Sequence, residues 1–259
     1  MQERHTDRRL YFEELARTSQ KYFIPYIERL HPVRPGTRVL EIGCGDGGNL
    51  LPLALRGCQT TGVDMAPGRI DDARAFFAEA GATGEFVAAD IFGLKGLDGR
   101  FDIILCHDVL EHIAQKAQLL TAIARWLAPR GIAFVAFPAW PMPFGGHQQI
   151  CSSKTLSRLP FVHLLPAPLY RRLLVAGGEK EKCVRELLDI KRTGVWTASF
   201  ERLTRQAGLA IADRRLWLVN PHYETKFGLK PRRLPSLAAS VPGLRDFLST
   251  SCFYLLRKA

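Results

Sequence analysis

The chain has 259 residues, 47% of them apolar, so it can bury the core of one large domain. No apolar run approaches the roughly 20 residues that a membrane-spanning helix needs, and the polar N-terminus predicts no signal peptide. The net charge is +11, and the excess is confined to residues 141–259, because residues 1–140 hold 16 of the 36 basic and 17 of the 25 acidic side chains.

The cysteines lack the paired spacing of metal-binding motifs. They are Cys44, Cys58, Cys106, Cys151, Cys183 and Cys252. Because disulfides are rare in reducing compartments, we expect six reduced thiols, a cytoplasmic protein and no bound metal.

The first predicted element is a helical segment over residues 6–30. Its apolar members are Tyr11, Leu15, Tyr22, Ile27 and Leu30. Pro25 is expected to break or kink this segment, because proline lacks the N–H that a helix interior requires. We predict that residues 1–35 form a helical cover within a single domain of 259 residues.

From residue 38 onward, apolar strands alternate with helical segments. Strands are predicted at 38–42, 60–64, 85–89, 101–106, 131–137, 210–219 and 252–256. Helices are predicted at 48–56, 67–80, 116–127 and 199–207. This alternation favours an α/β fold with a doubly wound sheet, in which ligands bind at the carboxyl ends of the strands.

A glycine-rich loop follows the first strand, with glycines at 43, 45, 47 and 48. Glycine tolerates positive φ and lets the backbone approach a ligand closely, so a loop of this kind between a strand and a helix predicts a nucleotide-binding turn. Gly43, Gly45 and Gly48 also satisfy the dinucleotide pattern G-x-G-x-x-G, which alone does not identify the cofactor.

Further residues at the strand ends bear on whether the cofactor is a dinucleotide or S-adenosylmethionine. Glu41 precedes the loop, and Glu-x-Gly-x-Gly-x-Gly resembles motif I of the class I S-adenosylmethionine-dependent methyltransferases. Asp64 and Asp90 end the second and third strands. The run from Phe101 to His112 resembles the fourth strand of the branch that includes quinone-biosynthesis and other small-molecule methyltransferases.

The resemblance implies a Rossmann-like, seven-stranded doubly wound sheet and S-adenosylmethionine as cofactor, released as S-adenosylhomocysteine. It implies that Asp64 binds the ribose hydroxyls and that Asp90 accepts the adenine amino group. The complete set of predicted cofactor-binding residues is Glu41, Gly43, Cys44, Gly45, Gly47, Asp64, Met65, Asp90, Ile91 and His107.

Residues 138–193 interrupt the family pattern after strand five and are predicted to form an inserted substrate lid. His147 lies at the end of strand five and is the first candidate for a general base, since a histidine near its ordinary pKa can remove a proton from the acceptor. A structural role for His147 remains the alternative. His112 is the second candidate, because its family counterpart lies near the active site.

The insertion also supplies candidate substrate contacts. These are Trp140, Phe144 and Gln148 near its start, and Arg171 and Arg172 further along. The last two could hold a phosphate, a carboxylate or an anionic lipid surface. A second segment, Asn-Pro-His-Tyr from residue 220, is interpreted as a turn that ends strand six.

The sequence therefore predicts methyl transfer to the oxygen of a small or lipid-like acceptor, with acidic acceptors included. Nitrogen and carbon acceptors remain open, as does weak contact with an anionic membrane surface. An RNA methyltransferase is an alternative suggested only by the basic half, although nucleic acid is the less favoured partner. The other alternative is a non-catalytic protein that binds the cofactor.

Overall fold

The computed structural model describes residues 7–259, which form one sheet with helices on both faces. The strands are β1 Arg38–Ile42, β2 Gln59–Asp64, β3 Glu85–Ala88, β4 Phe101–His107, β5 Leu127–Phe137, β6 Leu209–Val219, β7 Arg232–Arg233 and β8 Ser251–Lys258. The longer helices are α1 Arg8–Thr18, α4 Pro67–Glu79, α5 Lys116–Trp126, α6 Ala167–Ala176, α7 Glu181–Thr193 and α8 Thr197–Gln206. The short ones are α2 Ile24–Ile27, α3 Leu51–Ala54, α9 His222–Phe227, α10 Ser236–Ser240 and α11 Leu244–Leu248.

The strand order is β3-β2-β1-β4-β5-β8-β6-β7. The first five strands in this order run parallel, and β8, β6 and β7 add to them in antiparallel pairs. The α/β, doubly wound prediction is confirmed. The sheet has eight strands instead of seven, because Arg232 and Arg233 pair with Val219 and Trp217 at the edge.

The strand order reverses between β1 and β4, whose carboxyl ends lie side by side. Ile42 is in register with Val63 of β2 on one side and with Cys106 of β4 on the other. A crevice outside the strand ends at such a reversal is the usual ligand site of this fold. The loops after β1, β2 and β4 therefore meet at one place.

The sequence predicted that Pro25 breaks or kinks the N-terminal helix, and the α-helical pattern is interrupted just before it. The π-helical turn Ser19–Phe23 joins α1 to α2, and Pro25 lies in the first turn of α2. A wider turn accommodates a residue that cannot donate a helical hydrogen bond. The predicted cover of residues 1–35 includes residues 1–6, which lie outside the described part of the chain.

The other differences in element bounds have local causes. The predicted helix at 48–56 is reduced to Leu51–Ala54. Strand β5 begins at Leu127 instead of 131, because Leu127 pairs with Phe101 before an irregularity in the register. The segment from Asn220 is a turn, as predicted, and Asn220 Oδ1 accepts the His222 N–H (3.0 Å) at the start of α9.

The core has one apolar layer on each face of the sheet. Phe23 and Tyr26 of the N-terminal helices pack on one face against Phe134 and Phe253. On the other face Phe137 packs against Phe200 of α8 (4.8 Å between ring centroids). Within residues 7–259, the helices are too short or too polar to cross a bilayer.

Residues 138–193 contain three 3-10 turns followed by α6 and α7. They enclose a third, smaller apolar cluster, separate from the two layers on the sheet. Its buried members are Cys151, Leu156, Val162, Tyr170, Leu174, Val184 and Leu187. We refer to the whole segment of residues 138–193 as the insertion.

Candidate active site at the carboxyl ends of the strands

Three glycines give the loop after β1 its shape. Gly43, Gly45 and Gly47 have φ of 66°, 52° and 83°, a region that glycine occupies at little cost. A Cβ atom on Gly43 would lie 2.4 Å from Val109 Cγ2, so a side chain there would displace the loop after β4. The glycine loop, residues 43–48, thus runs close to its neighbours, and all of it except Gly43 is buried.

Asp64, at the end of β2, is held by the loops beside it. Its Oδ2 accepts the Gly45 N–H and its Oδ1 accepts the Ala66 N–H, both at 2.9 Å. Each carboxylate oxygen keeps a further lone pair, since an ionised carboxylate offers about four acceptor positions. Asp64 can therefore bind two hydroxyls of a ligand, and Met65 beside it is 73% exposed.

Asp90 and Ile91 lie after β3. Asp90 is exposed, and its Oδ1 accepts the Phe92 N–H (3.0 Å) that starts a 3-10 turn. Ile91 is buried in the apolar layer that also contains Ile42 and Val63. The two side chains stand at the same edge of the sheet as Asp64, where an adenine ring would need one polar and one apolar contact.

Glu41 is a buried carboxylic acid on β1. Its Oε1 accepts a hydrogen bond from Asn49 Nδ2 (2.7 Å), whereas Oε2 has no partner among residues 7–259. Burial, reinforced by the charge of Asp64, raises the pKa of Glu41 to about 8. Asp46 of the glycine loop is also buried and pairs with Arg8 (2.8 Å).

A cationic ligand group fits beside these acids better than a phosphate does. Glu41 is protonated in the ligand-free protein, but once ionised its unpartnered Oε2 can accept a hydrogen bond from an ammonium. A pyrophosphate would place anions next to two buried carboxyl groups and gain nothing from them. These two acidic side chains therefore suit the amino-acid part of S-adenosylmethionine, which carries an ammonium group.

Glu41→Gln separates the effect of the buried acid on stability from its effect on ligand binding. The folded protein keeps the proton on Glu41 between about pH 4.5 and about pH 8, whereas the unfolded chain loses it, so stability falls as pH rises through this window. The variant should raise the free energy of unfolding of the ligand-free protein at pH 8, by up to about 3 kcal/mol. It should weaken S-adenosylhomocysteine binding about tenfold or more. Urea denaturation and calorimetric titration measure the two effects, and unchanged binding would exclude Glu41 from the site.

The loop after β4 contributes the second half of the site. Asp108 directly follows the strand and has a φ of 53°, a strained value for a residue other than glycine. Its carboxylate oxygen Oδ2 lies 3.6 Å from Nε2 of the buried His107. Strain of this kind is often found at functional sites, and here it turns the Asp108 carboxylate out of the sheet.

Three side chains converge beside Asp108, and we call them the histidine cluster: Glu111, His112 and His147. Glu111 Oε1 lies 3.9 Å from His147 Nε2, and the two imidazole ring centroids are 5.2 Å apart. Their nitrogen and oxygen atoms lie within 4.8 Å of one another, so the cluster could transfer protons or hold a divalent cation. The sequence predicted His112 and His147 as separate candidates. It also predicted that the protein binds no metal, and that prediction is not tested by the geometry.

Burial fixes the charge states of the cluster. It raises the pKa of Glu111 well above its ordinary value, with a further contribution from Asp108. Burial and the neighbouring His112 lower the pKa of His147 to about 4. His147 is therefore neutral at physiological pH, which is the form that accepts a proton.

His147 reaches this position through the backbone of the insertion. Its own φ of 56° is left-handed, and its N–H donates to the Phe144 carbonyl (3.1 Å). From the other side, Thr193 Oγ1 at the end of α7 donates to the Glu111 carbonyl (2.5 Å). The insertion thus meets the loop after β4 at both of its ends.

Two aromatic residues near this site were not among the predicted site residues. Tyr11 of α1 is half-buried, and its charged neighbours are Asp108, Arg69, Asp46 and Glu41. Tyr223 of α9 also lies near Asp108, and burial raises its pKa to about 12. The phenol groups therefore lie near Asp108, and that of Tyr11 also lies near the acids of the glycine loop.

Helix α9 is held over the site by a contact with the N-terminal helix. His222 Nδ1 lies 3.0 Å from Thr18 Oγ1, and the Tyr11 and His222 rings meet edge to face. The charge of Lys226, on the same helix, contributes to lowering the pKa of His147. The signal in the sequence was the tyrosine of the Asn-Pro-His-Tyr segment, which was interpreted only as part of a turn.

The predicted substrate contacts lie in different surroundings, and Gln148 lies inside the insertion. It is fully buried, and its Nε2 donates to the carbonyls of Pro143 (2.9 Å) and Leu159 (3.2 Å). Trp140 is buried too, with its ring edge to face against His163 and its carbonyl 2.8 Å from His163 Nε2. These two residues hold the insertion together.

Phe144 is half-buried one turn before His147 and remains a candidate substrate contact. Arg171 and Arg172 are exposed on α6, where Arg171 pairs with Glu181 (3.2 Å). Their exposure fits a binding role outside the cleft, and that role stays a prediction.

One fully buried and one partly buried histidine make stability depend on pH. His163 is fully buried, and burial lowers its pKa to about 4, as it does for His147. As pH falls from about 6.5 to about 4, the unfolded chain binds protons that the folded protein cannot, so stability is lost.

We expect His163→Gln to remove about 2 kcal/mol of this loss between pH 7 and pH 5, and urea denaturation at pH 7, 6 and 5 measures it. Glu41 titrates in both proteins and cancels from the difference. Parallel pH dependences for the variant and the wild type would contradict the assignment of a neutral, buried His163.

Comparison with known proteins identifies the class. Residues 39–131 match a family described as a methyltransferase domain. A ubiquinone biosynthesis O-methyltransferase from Azorhizobium caulinodans is 36% identical over 107 residues, which are 41% of this chain and 42% of that protein. One from Azotobacter vinelandii is 28% identical over 196 residues, 73% of this chain and 72% of that protein.

Solved structures give the same fold. A putative sarcosine dimethylglycine methyltransferase from Galdieria sulphuraria superposes with a TM-score of 0.61 at 16% identity, covering 94% of this chain and 86% of that one. PKMT2 from Rickettsia typhi in complex with AdoHcy superposes with a TM-score of 0.58 at 20% identity, covering 93% of this chain and 54% of that one.

The sheet order, the glycine loop and the acids at the strand ends define a cofactor-binding methyltransferase fold. Residues 39–131 match the methyltransferase domain family, and over most of its length the chain is similar to a ubiquinone biosynthesis O-methyltransferase. The curated relatives described above are ubiquinone biosynthesis O-methyltransferases, although the match covers less than half the length of the Azorhizobium protein.

Proposed function

We propose that this protein transfers a methyl group from S-adenosylmethionine to the oxygen of a small, apolar acceptor, with His147 as the general base. The observation that carries the proposal is the neutral His147, whose Nε2 lies 3.9 Å from Glu111 Oε1 beside the strand ends that suit the cofactor. The relatives named as O-methyltransferases support oxygen as the acceptor atom.

The residues of the site have separate tasks. S-adenosylmethionine, when bound, supplies a methyl group on a positively charged sulfur, which is already a good leaving group. Asp64, Asp90 and the glycine loop hold its adenosine and amino-acid parts. His147 would take the proton from the acceptor hydroxyl as the methyl group is transferred and would then release that proton to solvent, with Glu111 Oε1 3.9 Å from its Nε2.

Enclosure of the site supports alignment as the main source of acceleration. Tyr11 and Tyr223 lie near Asp108, and the insertion reaches the same loop through His147 and Thr193. Holding the reactants in line can supply roughly 7–11 kcal/mol at best. Proton removal by a positioned histidine adds typically about 10²–10⁴-fold.

An apolar, lipid-linked acceptor is favoured by the surface near the insertion. Phe161, Trp196 and Phe247 are each about two-fifths exposed. The Phe247 ring centroid lies 6.5 Å from that of Phe161 and 6.4 Å from that of Trp196. Exposed aromatic groups of this kind suit a lipid tail or the interface of a membrane. Contact with an anionic membrane surface stays part of the proposal.

RNA methylation remains the second candidate because of the basic half of the chain. Several of those cations are already paired, as Arg171 is with Glu181 and Arg214 and Arg245 are with Glu201. RNA binding would show a steep fall in affinity as salt rises. A binding constant that does not change with salt, or no binding, would remove this candidate.

The test is to incubate cell extracts with the protein and methyl-labelled S-adenosylmethionine and to analyse the lipid and aqueous fractions by mass spectrometry. We expect the label in the lipid fraction, on oxygen, with one S-adenosylhomocysteine formed for each labelled product. Label on nitrogen or carbon would refute the oxygen acceptor. S-adenosylhomocysteine binding without label in either fraction would support the non-catalytic alternative.

A further inference from the structure

A second group of potential ligands lies inside the insertion, away from the histidine cluster. Cys151 follows the turn that carries His147, Glu179 lies between α6 and α7, and Cys183 is in the first turn of α7. Their sulfur and carboxylate oxygen atoms lie within 4.8 Å of one another. We call these three residues the thiol cluster.

The carboxylate of this cluster is held in a fixed orientation. Glu179 is 8% exposed, and its Oε2 accepts hydrogen bonds from the Ser152 N–H (3.0 Å) and the Ser152 hydroxyl (3.1 Å). Its Oε1 accepts the Ser153 N–H (2.8 Å). Hydrogen bonds that orient a ligand side chain in this way are a regular feature of metal sites.

A buried hydroxyl beside the thiols lacks a partner. Tyr170 is fully buried, and its hydroxyl makes no hydrogen bond to any of residues 7–259. The thiol groups of Cys151 and Cys183 lie near it, and burial raises the pKa of both thiols. An unpartnered buried hydroxyl is costly, and a thiolate or a metal-bound water would accept or complete its hydrogen bond.

We propose that Cys151, Cys183 and Glu179 bind a thiophilic divalent cation of the zinc class. Two thiolates and one carboxylate are ligands that zinc accepts in a tetrahedral site, with the fourth position open to water. The thiols release their protons to solvent when the metal binds. Buried sulfur ligands favour zinc, and its substitute cobalt, over magnesium or calcium, which prefer oxygen.

The oriented carboxylate distinguishes this site from a disulfide pair. A disulfide between Cys151 and Cys183 would leave the Glu179 carboxylate beside the sulfur atoms with only its hydrogen bonds to Ser152 and Ser153, and Tyr170 still without a partner. A metal uses all three side chains and satisfies the hydroxyl.

The metal would also connect the insertion to the proposed active site. Cys151 is one 3-10 turn after His147, and α7, which begins beside Cys183, ends at Thr193 on the Glu111 carbonyl. A bound cation therefore ties together the two segments that contact the histidine cluster. We expect it to order the insertion without touching the cofactor.

The test is titration of the full chain with Co²⁺ after reduction and removal of metals. We expect a thiolate-to-cobalt charge-transfer band that saturates at one Co²⁺ per chain and disappears when Zn²⁺ is added. The band is specific for sulfur ligands, so cobalt bound by the histidine cluster would not produce it. Cys183→Ser should abolish the band, whereas Cys58→Ser, at a buried cysteine outside the insertion, should keep it.

A milder variant protects the test against misfolding. Ser152→Ala removes only the hydroxyl bonded to Glu179 and should weaken Co²⁺ binding about 10–100-fold. Unchanged S-adenosylhomocysteine binding would show that each variant is folded. The proposal is overturned if reduced wild type gives no band, if the band survives in both Cys151→Ser and Cys183→Ser, or if the isolated protein carries a Cys151–Cys183 disulfide and takes up no metal.

Discussion

His147→Gln should lower turnover by roughly 10²–10⁴-fold and leave the dissociation constant for S-adenosylhomocysteine nearly unchanged. Glutamine keeps much of the size and polarity of histidine but cannot accept the proton of the acceptor. His147 belongs to the insertion and faces Glu111, whereas Asp64, Asp90 and Glu41 stand at the ends of other strands. Steady-state kinetics together with calorimetric titration separates turnover from cofactor affinity.

The pH dependence of this variant distinguishes a base from a residue that only orients the insertion. If His147 is the base, the loss should shrink as pH rises, because an acceptor that is already ionised needs no proton removal. A smaller loss that does not vary with pH would indicate a structural role. His112→Gln tests the second candidate base in the same cluster by the same measurement. Full activity of His147→Gln at every pH would remove His147 from the site.

Asp64→Ala should weaken binding of S-adenosylhomocysteine by roughly 10–150-fold, because hydrogen bonds to a charged group contribute about 1.5–3 kcal/mol. The carboxylate has two tasks: it can accept ligand hydroxyls, and it fixes the Gly45 and Ala66 N–H groups. Both are lost in the variant. The fold should survive, since Asp64 is only half-buried at the mouth of the cleft.

Asp71→Ala is the control for Asp64→Ala. Asp71 is an exposed acid of α4 that pairs with Arg74 within its own helix (3.1 Å). It should leave the dissociation constant unchanged in calorimetric titration. Equal affinity for the wild type and Asp64→Ala would mean that another acid binds the ribose.

The sheet could be predicted because its information is local. Each strand is a short apolar run, and the acids Asp64 and Asp90 mark where two of the strands end. The parallel order then brings those ends together without further information. The edge strand Arg232–Arg233 could not be predicted, because two arginines carry no strand signal and pair only where Trp217 and Val219 offer an edge.

The candidate site was predictable in its parts and not in its assembly. His147 and His112 were recognisable as residues near strand ends, but their approach to within 5.2 Å depends on the path of the insertion. Gln148 looked like a substrate contact from its neighbours in sequence. Its amide instead donates to two carbonyls, one of them eleven residues away, and no local pattern reveals that contact.

The cover over the cleft shows the same limit. Helix α9 reaches the site through the contact of His222 with Thr18, which are 204 positions apart in the chain. The left-handed backbone of Asp108 is another property that only the folded loop determines. Tertiary contacts of this kind decide which polar and aromatic side chains face the ligand and which hold the structure together.

Thermal unfolding with different ligands tests the central claim, that the glycine loop and the strand-end acids hold the S-adenosyl cofactor. S-adenosylhomocysteine at about 100 times its dissociation constant should add about 2.7 kcal/mol to the stability of the protein. NAD and NADP should add nothing, because their pyrophosphate would meet the buried Glu41 and Asp46. Stabilisation by NAD or NADP without stabilisation by S-adenosylhomocysteine would contradict the account.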